Sequence, residues 1–398
     1  MRHKVIAMAS VVAWCAASLA ALSVSATPAG AVTAAITVDD AADGAAQASD
    51  CAPTPVAGSC SLRDAFAAAA TGGADAGTDV VITIDPAITA ITLTNGELLH
   101  DGGTGGAHPL TVQGSGAVVT QTTADRVVHS AGTGLFTLSG LTLTGGNTEG
   151  NGGAISSGGS VVVTDAALIG NQAGDTGGAI DVQHTVAVVR STIANNTAGS
   201  FGGAVEGEQN DDAFVINSTI ANNTAGAIGG ALAGVGDVTL VYATITGNSA
   251  PQGANIGDNG GALTSFASVI AAPGGGGDNC RHLSATLSHG YNLEDDAAAT
   301  CGFATTTHDL APGTAPGLGA LADNGGPGPT RLPAAGSALL DVVPLAACQG
   351  DILDPITLDE RGVTRPQGTG CDVGAVEVVV PVTPVVPVPV AVQPAFTG

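Results

Sequence analysis

The chain has 398 residues, of which 60 are Gly, 34 Asp or Glu and only 9 Lys or Arg, and 44% are hydrophobic. A formal charge of −25 repels nucleic acid and anionic lipid, and disfavours polyanionic substrates unless a divalent cation bridges them. The supply of Val, Ile, Leu and Ala sets it apart from acidic disordered chains, which lack the apolar surface to fold.

Arg2, His3 and Lys4 precede an apolar run from Val5 to Leu22, followed by small residues at Ser25, Ala26, Ala29, Gly30 and Ala31. This order predicts a secretory signal peptide over 1–31, cleaved after Ala26 or Ala31. Its loss removes Arg2 and Lys4, leaving seven Arg and no Lys against 34 acids, a formal −27. No later run reaches the roughly 18 apolar residues of a membrane-crossing helix, so no transmembrane span is expected in the mature chain. Six cysteines remain beyond Cys15 of the leader. An even set in an exported chain predicts disulfides. The cysteines fall into three close pairs along the sequence, which favours Cys51 with Cys60, Cys280 with Cys301, and Cys348 with Cys371.

Residues 32–109 read as an N-terminal cap and first strands. In CSLRDAFAAAA, Cys60 to Ala70, Ser61 and Asp64 have capping-box spacing ahead of an Ala-rich run, predicting a short helix that plugs the first coil. TDVVITIDPAITAITLTNGELLH then reads as strands entering a solenoid.

Over 110–270 the sequence repeats itself. Gly-Gly-Ala plus an aliphatic recurs at Gly152–Ile155, Gly177–Ile180, Gly202–Val205, Gly229–Leu232 and Gly260–Leu263, spaced 25, 25, 27 and 31 residues. Between these copies stand VVVTDAALIGN, VAVVRSTIANN, AFVINSTIANN and VTLVYATITGN, starting at Val161, Val186, Ala213 and Val238. FTLSGLTLTGG from Phe136 and LTVQGSGAVVTQ from Leu110 are less regular copies. Short β-branched runs broken by Gly, Asn, Asp and Ser predict strands and turns, and no 3.6-residue apolar pattern competes. One repeat therefore makes one coil of an all-β, right-handed, single-stranded parallel β-helix of about seven to nine coils. Leu168, Ile193, Ile220 and Ile245 should form one inward ladder, and Val163, Val188, Val215 and Leu240 another. Asn171, Asn196, Asn223 and Asn248 should form an asparagine ladder at a turn. Residues 271–377 are expected to hold C-terminal coils and an end region, and the Pro/Val-rich run 378–398 an extended stalk.

CSLRDAF closely resembles the CSLREA signature at the start of secreted bacterial β-helix proteins. LGALADNGGPGPTRLPAAGSALLD, Leu318–Asp341, and LDERGVTRPQGTGCDVGAVE, Leu358–Glu377, resemble their choice-of-anchor Q region. The coils are similar to those of polymorphic outer-membrane proteins and the pectate-lyase-like superfamily. The resemblance implies export to the cell surface or medium and a variable anchoring device, but no activity. The final PAFTG matches the LAxTG sorting signal at Ala395, Thr397 and Gly398 and departs from it at Pro394, an expectation of cell-wall attachment through the stalk.

Coil arithmetic stacks Asp181 on Glu206, near the 5 to 5.5 Å carboxyl spacing of retaining glycosidases, which makes them the catalytic candidates. Asp212 should stack on Asp237, with Glu208 and Asp211 nearby, a candidate calcium site and the one cofactor considered. A 25-residue repeat also aligns acids that do nothing. The hydrolases with the fold that the coils resemble use an Arg-x-Lys element, which cannot occur in a mature chain without Lys, and aromatic sugar platforms are scarce. The preferred expectation is a non-enzymatic adhesive or structural role, with polysaccharide or another cell-surface ligand as partner. The alternative is a glycan lyase or hydrolase. Asp165 and Arg190 should form a surface ion pair, and Tyr242, Phe201, Phe214 and Tyr291 should serve core or edge packing. His184, His282, His289 and His308 lack metal spacing.

Overall fold

The computed structural model describes residues 33–51, 59–72, 79–102, 106–208, 211–257, 260–271, 278–303, 308–349, 352 and 356–379. The expected leader and nearly all of the stalk lie outside them. The described chain is an all-β parallel β-solenoid of about eight turns and is only 4% helical. Each coil contributes to a 17-stranded sheet, and successive coils also build a seven-stranded and a short four-stranded sheet.

Both aliphatic ladders form in the expected register. Val163 pairs with Val188, then Val215, then Leu240, and Leu168 with Ile193, Ile220 and Ile245. All are at most 1% exposed, and each such side chain contributes roughly 1.5 to 3 kcal/mol by leaving water. The irregular copies join the stack, with Leu110 beside Phe136 and Phe136 beside Val161. The two extra residues of the 27-residue coil are absorbed between Gly207 and Ala213, because Val182 pairs with Gly207 while Val186 pairs with Ala213.

One repeat assignment changes. Leu232 pairs with Ile256, not with Leu263. The fifth Gly-Gly-Ala position is taken by Gly253, Ala254, Asn255 and Ile256, while Leu263 belongs to the long sheet beside Val238. The left-handed corner needs only its first glycine, and Gly253 has the required φ of 57°. The paired glycines divide two tasks. Gly177 holds φ 63°, whereas a Cβ on Gly178 would collide with Gly203 O of the next coil, so one serves the turn and the other the coil spacing.

The N-terminal cap is the helix Leu62–Gly72. Ser61 N–H and Oγ donate to Asp64 Oδ2 at 3.1 and 2.6 Å, and Asp64 N–H donates back to Ser61 Oγ at 3.2 Å. This is the reciprocal capping expected from the spacing. Leu62, Ala65, Phe66 and Ala69 share one helix face and close the core of the first coils. Arg63 fastens the helix through Asp43 at 2.6 Å and the carbonyls of Gly96 and Glu97 at 2.8 and 2.7 Å. The three cysteine pairs are bonded as 51–60, 280–301 and 348–371.

The segment 271–377 divides in two. Stacked coils continue to Leu293–Glu294, and Cys280, Cys301 and Phe303 still pack into the solenoid core. The chain then turns back along the outer face of the long sheet as a strap. Inward Val186 and Val188 belong to the solenoid core, while outward Ala187 and Val189 join Phe214, Ile216 and Val241 in a second apolar layer under Leu339, Val343, Val373 and the 348–371 disulfide. This explains why VAVV and AFVI are apolar at every position: both faces of these strands are covered.

Polar contacts fasten the strap. Thr192 and Thr219 hydroxyls donate to the buried Glu360 carboxyl at 2.8 and 2.5 Å. Tyr242 hydroxyl donates to Cys348 O at 2.7 Å, and the Arg365 guanidinium lies 4.1 Å from the Tyr242 ring centroid while pairing with Glu377 at 2.9 Å. Tyr242 and Phe214 serve packing, being 0 and 3% exposed, while Phe201 is an edge residue at 39%.

Candidate functional site

The seven-stranded sheet carries the acids singled out above. Ile180 and Val182 point into the core, so the strand alternation turns Asp181 outward. Its register row runs Leu99, His129, Ser156, Asp181, Glu206, one residue per coil. Glu206 lies across Gly234, where a Cβ would stand 2.7 Å from Glu206 Oε1. Thr176 Oγ1 donates to Asp181 Oδ2 at 2.8 Å. From lower coils, Arg126 and His129 converge on Glu97, each at 3.2 Å.

Asp181 stacks on Glu206 as expected. The two side chains are close enough to perturb each other's titration. Burial pushes Glu206 up to about 8, reinforced by its interaction with Asp181. Burial also raises Asp181, opposed by Thr176 and by the Glu206 proton. The hydrogen bond from His129 holds Glu97 below the usual carboxylate range. Glu206 therefore holds its proton near neutral pH.

The calcium candidates do not gather. Among the described residues no group of three or more His, Cys, Asp or Glu side chains is placed to hold a metal. Asp212 Oδ1 accepts from Asp237 N–H at 3.3 Å and Asp237 Oδ1 from Ala262 N–H at 2.9 Å. Both carboxylates are thereby engaged in starting the strand of the next coil. Asp211 faces His184 at 3.6 Å, and Glu208 acts on Glu206 only through its charge.

The asparagine ladder forms as expected and is buried. Asn171, Asn196 and Asn223 each donate Nδ2 to the Oδ1 of the next rung, at 3.0, 2.9 and 2.9 Å. The structure extends it in a way that the 25-residue arithmetic does not reach. Asn248 passes the chain to Asn255, Asn255 to Asn279, and Asn279 to Asp295, at 2.9, 2.7 and 3.0 Å.

Arg190 departs from the surface ion pair expected of it. It holds Asp165 at 2.7 and 2.5 Å but is itself only 8% exposed, because the strap tip covers this corner. Thr176 beside Asp181, and Glu360 and Arg361 beside Arg190, are neighbours that the repeat did not expose. The only local sign of Thr176 is a hydroxyl placed just before Gly177.

No protein-family model, curated protein or solved structure matches the chain. Fold and site together define the class: an all-β parallel β-solenoid with a strapped outer face and an acidic row on a second sheet.

Proposed function

We propose that the chain is an exported surface protein with a non-enzymatic, adhesive or structural role, offering the sheet that carries Leu99, His129, Ser156, Asp181 and Glu206 to extracellular polysaccharide or another cell-surface ligand. The observation that carries this reading is the outward row of that sheet, which sets one of these residues on each successive coil. Three disulfides support an oxidising compartment, in keeping with the leader-like start. No described helix is long and apolar enough to cross a membrane. The CSLREA-like head, the choice-of-anchor Q-like tail and the stalk fit attachment at a cell wall.

A second reading is a glycan hydrolase or lyase. It is favoured by Glu206, whose proton burial holds up to about 8 beside Asp181, the state that a general acid needs. A glycan array run beside reducing-sugar release on plant and bacterial polysaccharides separates the two. Binding without product supports the surface role. Product formation lost in Asp181→Ala and Glu206→Ala overturns it.

A further inference from the structure

The inward ladder of Leu168, Ile193, Ile220 and Ile245 continues to Ile270 and then ends on an acid, Glu294. Ile270 belongs to the solenoid core, so Glu294, its register partner on the last coil, points inward as well. It is 0% exposed. Its Oε2 accepts from Cys301 N–H at 2.8 Å, while its Oε1, also buried, has no hydrogen-bond partner among the described residues.

The charges that act on Glu294, those of Asp296 and Asp309, are both negative. Of the other ionisable groups at this end, Asp295 accepts from Asn279 Nδ2 at 3.0 Å, Arg281 Nε turns to His282 at 3.3 Å, and His308 stacks on Tyr291. Burial raises Glu294 from 4.5 to about 7; the N–H groups of Cys301 and Phe303 oppose the rise and the two acids reinforce it. Ionised in place, Glu294 would be a buried charge without a counter-ion, which is costly. Loss of its proton therefore favours a state in which water reaches it.

Segment 295–303 stands between Glu294 and solvent, and sets Cys301 and Phe303, 0 and 2% exposed, over the core. Unlike the helix Leu62–Gly72 at the other end, it is built of turns. Besides the bonds to Glu294 and Asn279, Thr300 Oγ1 accepts from Cys280 N–H at 3.2 Å and Cys301 O accepts from the Thr286 hydroxyl at 2.6 Å. So few fastenings place a segment among those that open locally. The disulfide joins Cys301 to Cys280, which stays in the stack by bridging Ile256. The chain beyond is fastened separately, with Leu310 N–H donating to Asn292 O at 2.8 Å.

We propose that segment 295–303 is a pH-gated end plug, seated over the last coil while Glu294 holds its proton and released on its disulfide tether when Glu294 ionises. The plug shares no residue with the Asp181–Glu206 row and does not rest on the adhesive reading.

The test is amide hydrogen exchange of the whole chain, resolved by residue and corrected for the intrinsic effect of pH. Glu294 moves from about 7 when buried to the ordinary 4.5 in water, so acid keeps the plug shut. Opening read at the Cys301 amide should rise about tenfold per pH unit from about pH 5 to about pH 7 and level off above. The amides of Val186–Val189, in the middle of the stack, should not follow that slope. Glu294→Gln cannot ionise and should make protection of Cys301 level across the range. Should that variant fail to fold, the wild-type profile still decides. Protection of Cys301 independent of pH in the wild type, the same slope in Glu294→Gln, or an equal change at Val186–Val189 would each overturn the proposal.

Discussion

Replacing Asn196 by Ala tests whether the asparagine ladder holds the coils together. Asn196 is fully buried. Its Oδ1 accepts from Asn171 N–H and Nδ2 at 2.8 and 3.0 Å, and its Nδ2 donates to Leu168 O and Asn223 Oδ1 at 3.0 and 2.9 Å. Asn196→Ala removes these four bonds. Asn171 N–H and Leu168 O then lose partners that water cannot replace, at about 1 to 3 kcal/mol each. The expected loss of stability is therefore about 4 kcal/mol, measured by urea unfolding followed by circular dichroism. Its neighbour Asn195 is the control, exposed and at φ 57°. Glycine tolerates that backbone, so Asn195→Gly should stay within about 1 kcal/mol of wild type. A loss below about 1 kcal/mol in Asn196→Ala, or an equal loss in both variants, would refute the argument.

Glu206, raised from 4.5 to about 8 in the folded chain, takes up a proton on folding, so its contribution is complete at low pH and is lost as pH rises through that window. Glu206→Gln should flatten the fall in melting temperature between about pH 5 and about pH 9, and should exceed wild type at the alkaline end; an unchanged slope refutes the raised value of Glu206. Glu360 has the same sign and a similar value, about 8, at the strap rather than the open sheet. Glu360→Gln should therefore keep the strap protected from hydrogen exchange at alkaline pH, where the wild-type strap loosens, while protection of the coils is unaltered in both. Joint replacement of Cys348 and Cys371 by Ala opens a link of sequence separation 23 and should cost about 3 kcal/mol by loop-closure entropy. Hydrogen exchange should place that loss in the strap, and equal loosening of the coils would count against it.

Much of the scaffold was legible because periodicity is local information. A 25-residue spacing places Val163 on Val188 and Asn171 on Asn196 whatever else the chain does, and Ser61 with Asp64 announces the cap within four residues. The same arithmetic failed at Gly260–Leu263, where a glycine pair served a different turn, and at the continuation from Asn248 to Asn255, which lies within one coil. For the acid row it supplied the pairing of Asp181 with Glu206 but not the burial that raises Glu206, since burial depends on neighbouring coils rather than on backbone spacing.

The sequence by itself determined the coil, its inward ladders, the capping box and the cysteine pairs, because each follows from residues close in the chain or from a constant repeat. Only the tertiary structure decided that the C-terminal segment folds back as a strap, buries Arg190 and Glu360, and leaves a cavity at its tip. Those contacts join residues as distant as Thr192 and Glu360, 168 positions apart. The continuously apolar strands imply a covered outer face, but neither the repeat nor the hydropathy pattern identifies the segment that covers it.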